Sequence, residues 1–193
     1  MMNKSPVSQV RTRTGLTASA TLALGLALGH LGALGQGLAG PPAPPNEPVV
    51  AAAARQVGIR RCLPAISAIA QRATSGATAQ DVIIDWDRQT PDAAPFFSLT
   101  ALGNGTQKAA LTIAAIPTVG GCAILVERMS ASAQSCSQIA AAELATFRSG
   151  VLIEGITVYQ NPQAAGETYT LVDNSSGCMI VRRQATMKWP PTP

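Results

Sequence analysis

Apolar residues recur at helical spacing in two stretches of the chain. In the first they fall at i, i+4, i+7, i+8 and i+11, which predicts a helix over residues 62–74 with one apolar side: Cys62, Ile66, Ile69, Ala70 and Ala73. In the second, Ser135 is placed to cap a helix over residues 136–147, whose inner side would carry Cys136, Ala140, Leu144 and Phe147. Residues 51–56 are expected to add a turn or a short helix.

Short β-branched or alternating segments, separated by Gly, Pro and Asn, predict strands after each helix. After the first helix they cover residues 82–86, 96–102, 109–116 and 122–129. After the second they cover residues 151–159, 168–172 and 178–184. The links between successive strands are short, so neighbouring strands should pair as antiparallel hairpins. The predicted fold class is therefore α+β, in one small domain of residues 51–189.

The two halves of this domain resemble each other in the order of their features. Gly121-Cys122 and Gly177-Cys178 each open a strand, and each predicted helix carries a cysteine in its first turn, Cys62 or Cys136. This repeated order predicts an internal duplication of residues 62–129 and 136–184, in which each half lays a helix on antiparallel hairpins.

The four cysteines predict two disulfides, because no closely spaced pair suited to redox or metal chemistry is present. The favoured pairs are Cys62–Cys122 and Cys136–Cys178, each joining the start of a helix to the last strand of its own half. Four up-and-down strands bring Cys122 back to the end where Cys62 lies. Three predicted strands leave Cys178 at the end opposite to Cys136, so pairing Cys62–Cys136 with Cys122–Cys178 stays open.

The two ends of the chain differ in composition from the predicted domain. Residues 1–39 have the pattern of a secretory signal peptide: basic residues up to Arg13, an uncharged run of residues 16–28, and small residues before position 40. An exported protein, periplasmic or extracellular, is expected, with an uncleaved signal acting as a membrane anchor as the alternative. Residues 40–50 form a Pro-rich spacer, and residues 190–193 are expected to be a disordered tail.

Removal of the signal changes the charge and the available chemistry. Three of the fourteen basic residues would leave, so the net charge would fall from +4 to about +1, and the only histidine, His30, would leave with them. Without histidine there is no Ser–His or Cys–His pair and no His-ligated metal, and no phosphate-binding loop is present. No cofactor and no metal are therefore expected. Two adjacent arginine pairs, Arg60-Arg61 and Arg182-Arg183, do not make the basic stripe that nucleic-acid binding needs.

Two groups of charged residues are the candidates for a functional site. Asp85 and Asp87 would point to the same side of a strand, as paired catalytic carboxylates do in glycan hydrolases, with Trp86 facing the core. In the second group, Glu127 and Arg128 occupy places comparable to those of Arg182 and Arg183 in the two halves. These four residues would form an interaction rim on one surface of the sheet.

We therefore expect a non-catalytic, exported accessory factor that binds another protein of the cell envelope, without a membrane span once the signal is cleaved. One alternative is a carboxylate-dependent hydrolase of envelope glycans that uses Asp85 and Asp87. Another is a carrier that holds a small ligand between the helices and the sheet.

Overall fold

The computed structural model describes residues 47–190, which form three short helices and one large sheet. The helices are α1 (Val49–Gln56), α2 (Leu63–Ala73) and α3 (Cys136–Glu143). The strands are β1 (Ala79–Asp85), β2 (Phe96–Asn104), β3 (Gln107–Thr118), β4 (Gly121–Ser132), β5 (Arg148–Ile153), β6 (Ile156–Gln160), β7 (Glu167–Asn174) and β8 (Gly177–Trp189). The predicted signal peptide, most of the spacer and the last three residues of the tail lie outside the described residues. Helix α1 begins inside the predicted spacer.

The eight strands form a single antiparallel sheet in the order β1-β2-β3-β4-β8-β7-β6-β5. Two four-stranded meanders, β1–β4 and β5–β8, therefore meet side by side through their last strands. We call this β4–β8 pair the seam, and Glu127 lies opposite Arg183 near its centre. The described chain is mostly β, so the expected α+β class describes it only loosely.

All three helices lie on the same side of the sheet. Alternate residues of a strand point to opposite sides, and the strand residues that pack against the helices all belong to the same alternating set. α1 and α2 cover the first meander in a larger cluster that includes the fully buried Ile66, Phe96, Leu111 and Ile113. Pro64 stands in the first turn of α2, where it removes no helical hydrogen bond. α3 covers the second meander in a smaller, separate cluster of five buried residues: Cys136, Ile139, Leu144, Leu171 and Cys178.

Each cluster contains one disulfide, and the pairs are the two favoured from the sequence. Cys62 at the start of α2 is bonded to Cys122 in β4, and Cys136 at the start of α3 is bonded to Cys178 in β8. The predicted single strand over residues 151–159 was wrong, because Glu154-Gly155 forms a turn between β5 and β6. The second meander therefore has four strands, and Cys178 returns to the end where Cys136 lies without any crossover.

Helix α3 is shorter than predicted, ending at Glu143 and not at Phe147. Ser135 caps it as expected: its hydroxyl accepts from the Gln138 N–H at 3.3 Å, and the Gln138 side chain accepts from the Ser135 N–H at 3.0 Å. Phe147 lies beyond the helix, edge-on to the ring of Tyr169 at a centroid distance of 5.5 Å.

Candidate functional site

Of the two candidate aspartates, only Asp85 lies on a strand. β1 ends at Asp85, and Asp87 lies in the following turn, where its Oδ1 accepts the N–H groups of Gln89 at 2.7 Å and Thr90 at 3.0 Å. The hydrogen bonds from Thr90 and then Gln89 hold the pKa of Asp87 below its usual value. A carboxyl that stays ionised does not serve as a general acid, so this geometry gives no support to the hydrolase alternative.

Asp92, which the sequence did not distinguish from other turn residues, connects two loops. Its Oδ1 accepts the backbone N–H groups of Arg60 and Arg61, each at 2.7 Å. Burial acts to raise the pKa of Asp92, but the N–H groups of Arg61 and Arg60 and the charges of their side chains outweigh it, so the pKa is lowered. Asp92 thus fastens the β1–β2 loop to the segment between α1 and α2, which is a structural role.

The four charged residues of the expected interaction rim do not share one surface. Adjacent residues of a strand point to opposite sides, so the seam separates them into two pairs. Glu127 and Arg183 lie on the side without helices, where the Arg183 Nε is 3.3 Å from a Glu127 carboxylate oxygen. Arg128 and Arg182 lie directly opposite each other on the helix side.

The side of the sheet without helices, which we call the open face, is largely apolar. Its exposed members include Phe97 (46%), Leu99 (45%), Ile116 (42%) and Met179 (38%). The same face also carries half-buried apolar residues of β1, β4, β8 and β6: Ile83, Leu125, Met129, Val181 and Val158. Asp81 and Asp85 stand at the β1 edge of this face and Arg148 at the β5 edge. Apolar surface that spans a whole sheet is typical of a protein-interaction site.

A cavity of about 130 Å³ lies on the helix side, between the second half of α2 and the seam. Its apolar wall consists of Ile69, Ala73, Leu111 and Val126. Its polar lining consists of Arg72, Arg128, Arg182 and Gln184. We call this cavity the arginine pocket. The sequence identified Arg128 and Arg182 as candidates but gave no sign that they line a pocket together with Arg72.

The part of the chain that the structure describes, residues 47–190, brings together no group of three His, Cys, Asp or Glu residues able to hold a metal ion. None of its helices is long and apolar enough to cross a membrane. In comparisons with protein-family models, curated proteins and solved structures, nothing matches this chain. The open face and the arginine pocket are therefore the two candidate functional surfaces of the described residues.

Proposed function

We propose that this protein is an exported, non-catalytic accessory factor that binds another envelope protein on its open face. The sequence pattern of residues 1–39 supports export, and two disulfides are compatible with folding in an oxidising compartment outside the cytoplasm. The observation that carries the binding proposal is the uncovered apolar side of the sheet.

The dimensions and charges of the open face define the partner. Eight strands spaced by about 4.8 Å give a face roughly 34 Å wide, broad enough for a segment of a second protein to lie across it. Because the β1 edge carries Asp81 and Asp85 and the β5 edge carries Arg148, the segment would be apolar in its middle, basic towards β1 and acidic towards β5. The one charge pair at the centre, Glu127 with Arg183, neutralises itself.

The edge strand β5 extends this apolar surface. Ile153, 63% exposed, lies on the open face because it pairs with Ile156, whereas Val151, 72% exposed, pairs with Thr157 and points to the helix side. Leu152, 66% exposed, stands at the irregularity between them, and the outer backbone groups of an edge strand are free to pair. The opposite edge is less open, because α1 packs against β1 and two acidic residues stand on that strand. The apolar part of the open face therefore runs from Phe97 and Leu99 on β2, across the seam, to Ile153 on β5.

The test uses the full chain expressed in its native envelope, with a photo-crosslinking amino acid in place of Leu99. The crosslinked protein is identified by mass spectrometry, purified, and titrated with the purified wild-type protein and two variants. Leu99→Asp places a charge on the open face and should weaken binding by at least about tenfold, as loss of an interface anchor does. Val119→Asp is the matched control: Val119 is a fully exposed apolar residue in the β3–β4 turn, off the open face.

Three results would contradict the proposal. The first is equal weakening of binding by Leu99→Asp and Val119→Asp. The second is a crosslink from position 99 to a second copy of this chain, together with a dimeric mass by light scattering, which would make the open face a homodimer interface. The third is a monomer that forms no crosslink in the envelope.

We further propose that the two meanders arose by internal duplication. Adding 56 to a residue number in β4 gives its counterpart in β8, which relates Gly121 to Gly177, Cys122 to Cys178 and Glu127 to Arg183. The seam register is symmetric under this operation, since Arg128 opposite Arg182 becomes Gln184 opposite Val126. The test is a superposition of residues 62–129 on residues 136–184, in which a rotation near 180° should overlay both disulfides. A superposition that leaves the disulfides apart would refute a common origin.

A further inference from the structure

We infer that the arginine pocket binds a small aliphatic monocarboxylate. The inference is independent of the proposed protein partner, because the pocket and the open face lie on opposite sides of the sheet. It rests on the charge balance of the pocket, the register of the seam and the size of the cavity.

Three arginines line the pocket, and one of them, Arg182, is paired with the carboxylate of Glu167. Glu167 is fully engaged: one carboxylate oxygen accepts from Arg182 Nε at 2.7 Å, and the other accepts from the side-chain amide of Asn161 at 3.0 Å. Arg182 also lies over the ring of Tyr169, 5.5 Å from its centroid. Within residues 47–190, the side chains of Arg72 and Arg128 make no hydrogen bond and no ion pair. Two positive charges at the pocket are therefore left for an anion.

The seam register places like charges together at this point. Arg128 and Arg182 are directly opposite each other on neighbouring strands, an arrangement that destabilises a sheet unless something compensates it. Arg72 approaches from α2, above the same strands. Glu167 pairs with Arg182, so a bound carboxylate would compensate the charge of Arg128; its two oxygens match the paired N–H donors of a guanidinium.

The rest of the lining selects an organic anion over an inorganic one. Leu111, Val126 and Ile69 are buried apolar residues that form the wall of the cavity, so part of the ligand must be apolar. A cavity of about 150 Å³ holds a molecule the size of benzene, so 130 Å³ takes a ligand of roughly six non-hydrogen atoms. Butyrate has this size, and butyramide is its neutral counterpart of the same shape.

The test is a titration of the mature protein, without the predicted signal peptide, with butyrate and with butyramide. The readout is the methyl NMR signals of Ile69, Leu111 and Val126. All samples contain the same concentration of potassium chloride, so that general screening is constant. Butyrate should shift these signals with a dissociation constant on the order of 1 mM, which is reasonable for a ligand of so few atoms. Butyramide should bind at least about tenfold more weakly because it lacks the charge.

Two variants and a matched control locate the site. Arg128→Gln and Arg72→Gln should each weaken butyrate binding by about tenfold. Arg128→Gln should not lower the midpoint of thermal unfolding, because it removes the like-charge pair at the seam. Arg183→Gln, next to Arg182 in sequence but on the open face, should change butyrate affinity by less than about twofold.

Several outcomes would overturn the inference. Equal affinities for butyrate and butyramide would show that no carboxylate is recognised. Equal weakening by Arg183→Gln and Arg128→Gln would show attraction by the general positive charge. The absence of a saturable shift up to about 50 mM butyrate would show that the pocket does not take this ligand class.

Discussion

Removal of each disulfide should destabilise the protein in a different way. The two double variants are Cys62→Ala with Cys122→Ala, which opens the larger cluster, and Cys136→Ala with Cys178→Ala, which opens the smaller one. The bonds join residues 60 and 42 positions apart. Because the entropy of closing a loop varies only with the logarithm of its length, each bond should contribute about 4 kcal/mol to the free energy of unfolding.

The packing around the bonds makes the consequences unequal. The larger cluster contains eighteen buried residues and two helices, whereas the smaller contains five and the eight-residue α3. A helix of this length is not stable without tertiary contacts. Without Cys62–Cys122, unfolding should remain a single cooperative transition whose free energy of unfolding is lower by about 4 kcal/mol. Without Cys136–Cys178, α3 should detach before the rest of the protein unfolds.

Aromatic residues report on the two clusters separately during urea unfolding. Trp86 and Trp189 pack against the larger cluster, and Tyr159 and Tyr169 against the smaller one. In the Cys136/Cys178 variant, the tyrosine near-UV circular dichroism should be lost at a lower urea concentration than the tryptophan fluorescence signal. Coincident transitions in that variant, with the same loss of stability as in the other, would refute the reasoning by showing that the sheet and all its helices unfold as one unit.

Three further substitutions test individual contacts by equilibrium unfolding. Thr100→Val should stabilise the protein by about 1 kcal/mol, because the buried Thr100 hydroxyl has no hydrogen-bond partner among the described residues; a loss of stability would mean that it has one. Asp92→Asn should lower the free energy of unfolding by about 1 kcal/mol at pH 7. Because the folded-state pKa of Asp92 is lowered, its stabilising contribution is present above about pH 4 and is lost as the pH falls through the folded pKa. A stability difference between wild type and variant that stays constant down to pH 2 would contradict this. Gly177→Ala should cost about 2–3 kcal/mol, because a Cβ there collides with the backbone carbonyl of Ser132, whereas Gly150→Ala has open space and should cost far less; equal effects would refute the contact.

The sequence predicted most of the regular elements because their periods were clear. The first apolar helix agrees with α2 to within one residue at each end, and the first four strands were all identified. The turn at Glu154-Gly155 was missed because the residues on both sides of it are apolar or β-branched, and the segment reads as one strand. That single omission created the conflict over the position of Cys178.

The candidate sites depended on information that lies beyond local pattern. Apolar residues occupy both sides of β3 and β4, and only the placement of the three helices decides which side stays uncovered. Arg128 and Arg182 lie opposite each other only because two strands far apart in sequence, β4 and β8, pair. Asp87 was expected on a strand because the sequence could not show that β1 ends at Asp85. The chain then turns, and the Gln89 N–H donates to the Asp87 carboxylate.

The Cys136–Cys178 bond also shortens the path along which the seam must form. Ser132 pairs with Cys178, 46 residues later in the chain, so in the reduced protein this contact requires closure of a long loop. Once the bond exists, the covalent route from Ser132 runs four residues to Cys136 and then across the sulfurs to Cys178. The closure cost falls by about 2 kcal/mol, since it follows the logarithm of loop length. Oxidation of this one pair thus converts the most distant strand pairing in the fold into a local one, from which the two long strands can pair residue by residue towards Trp189.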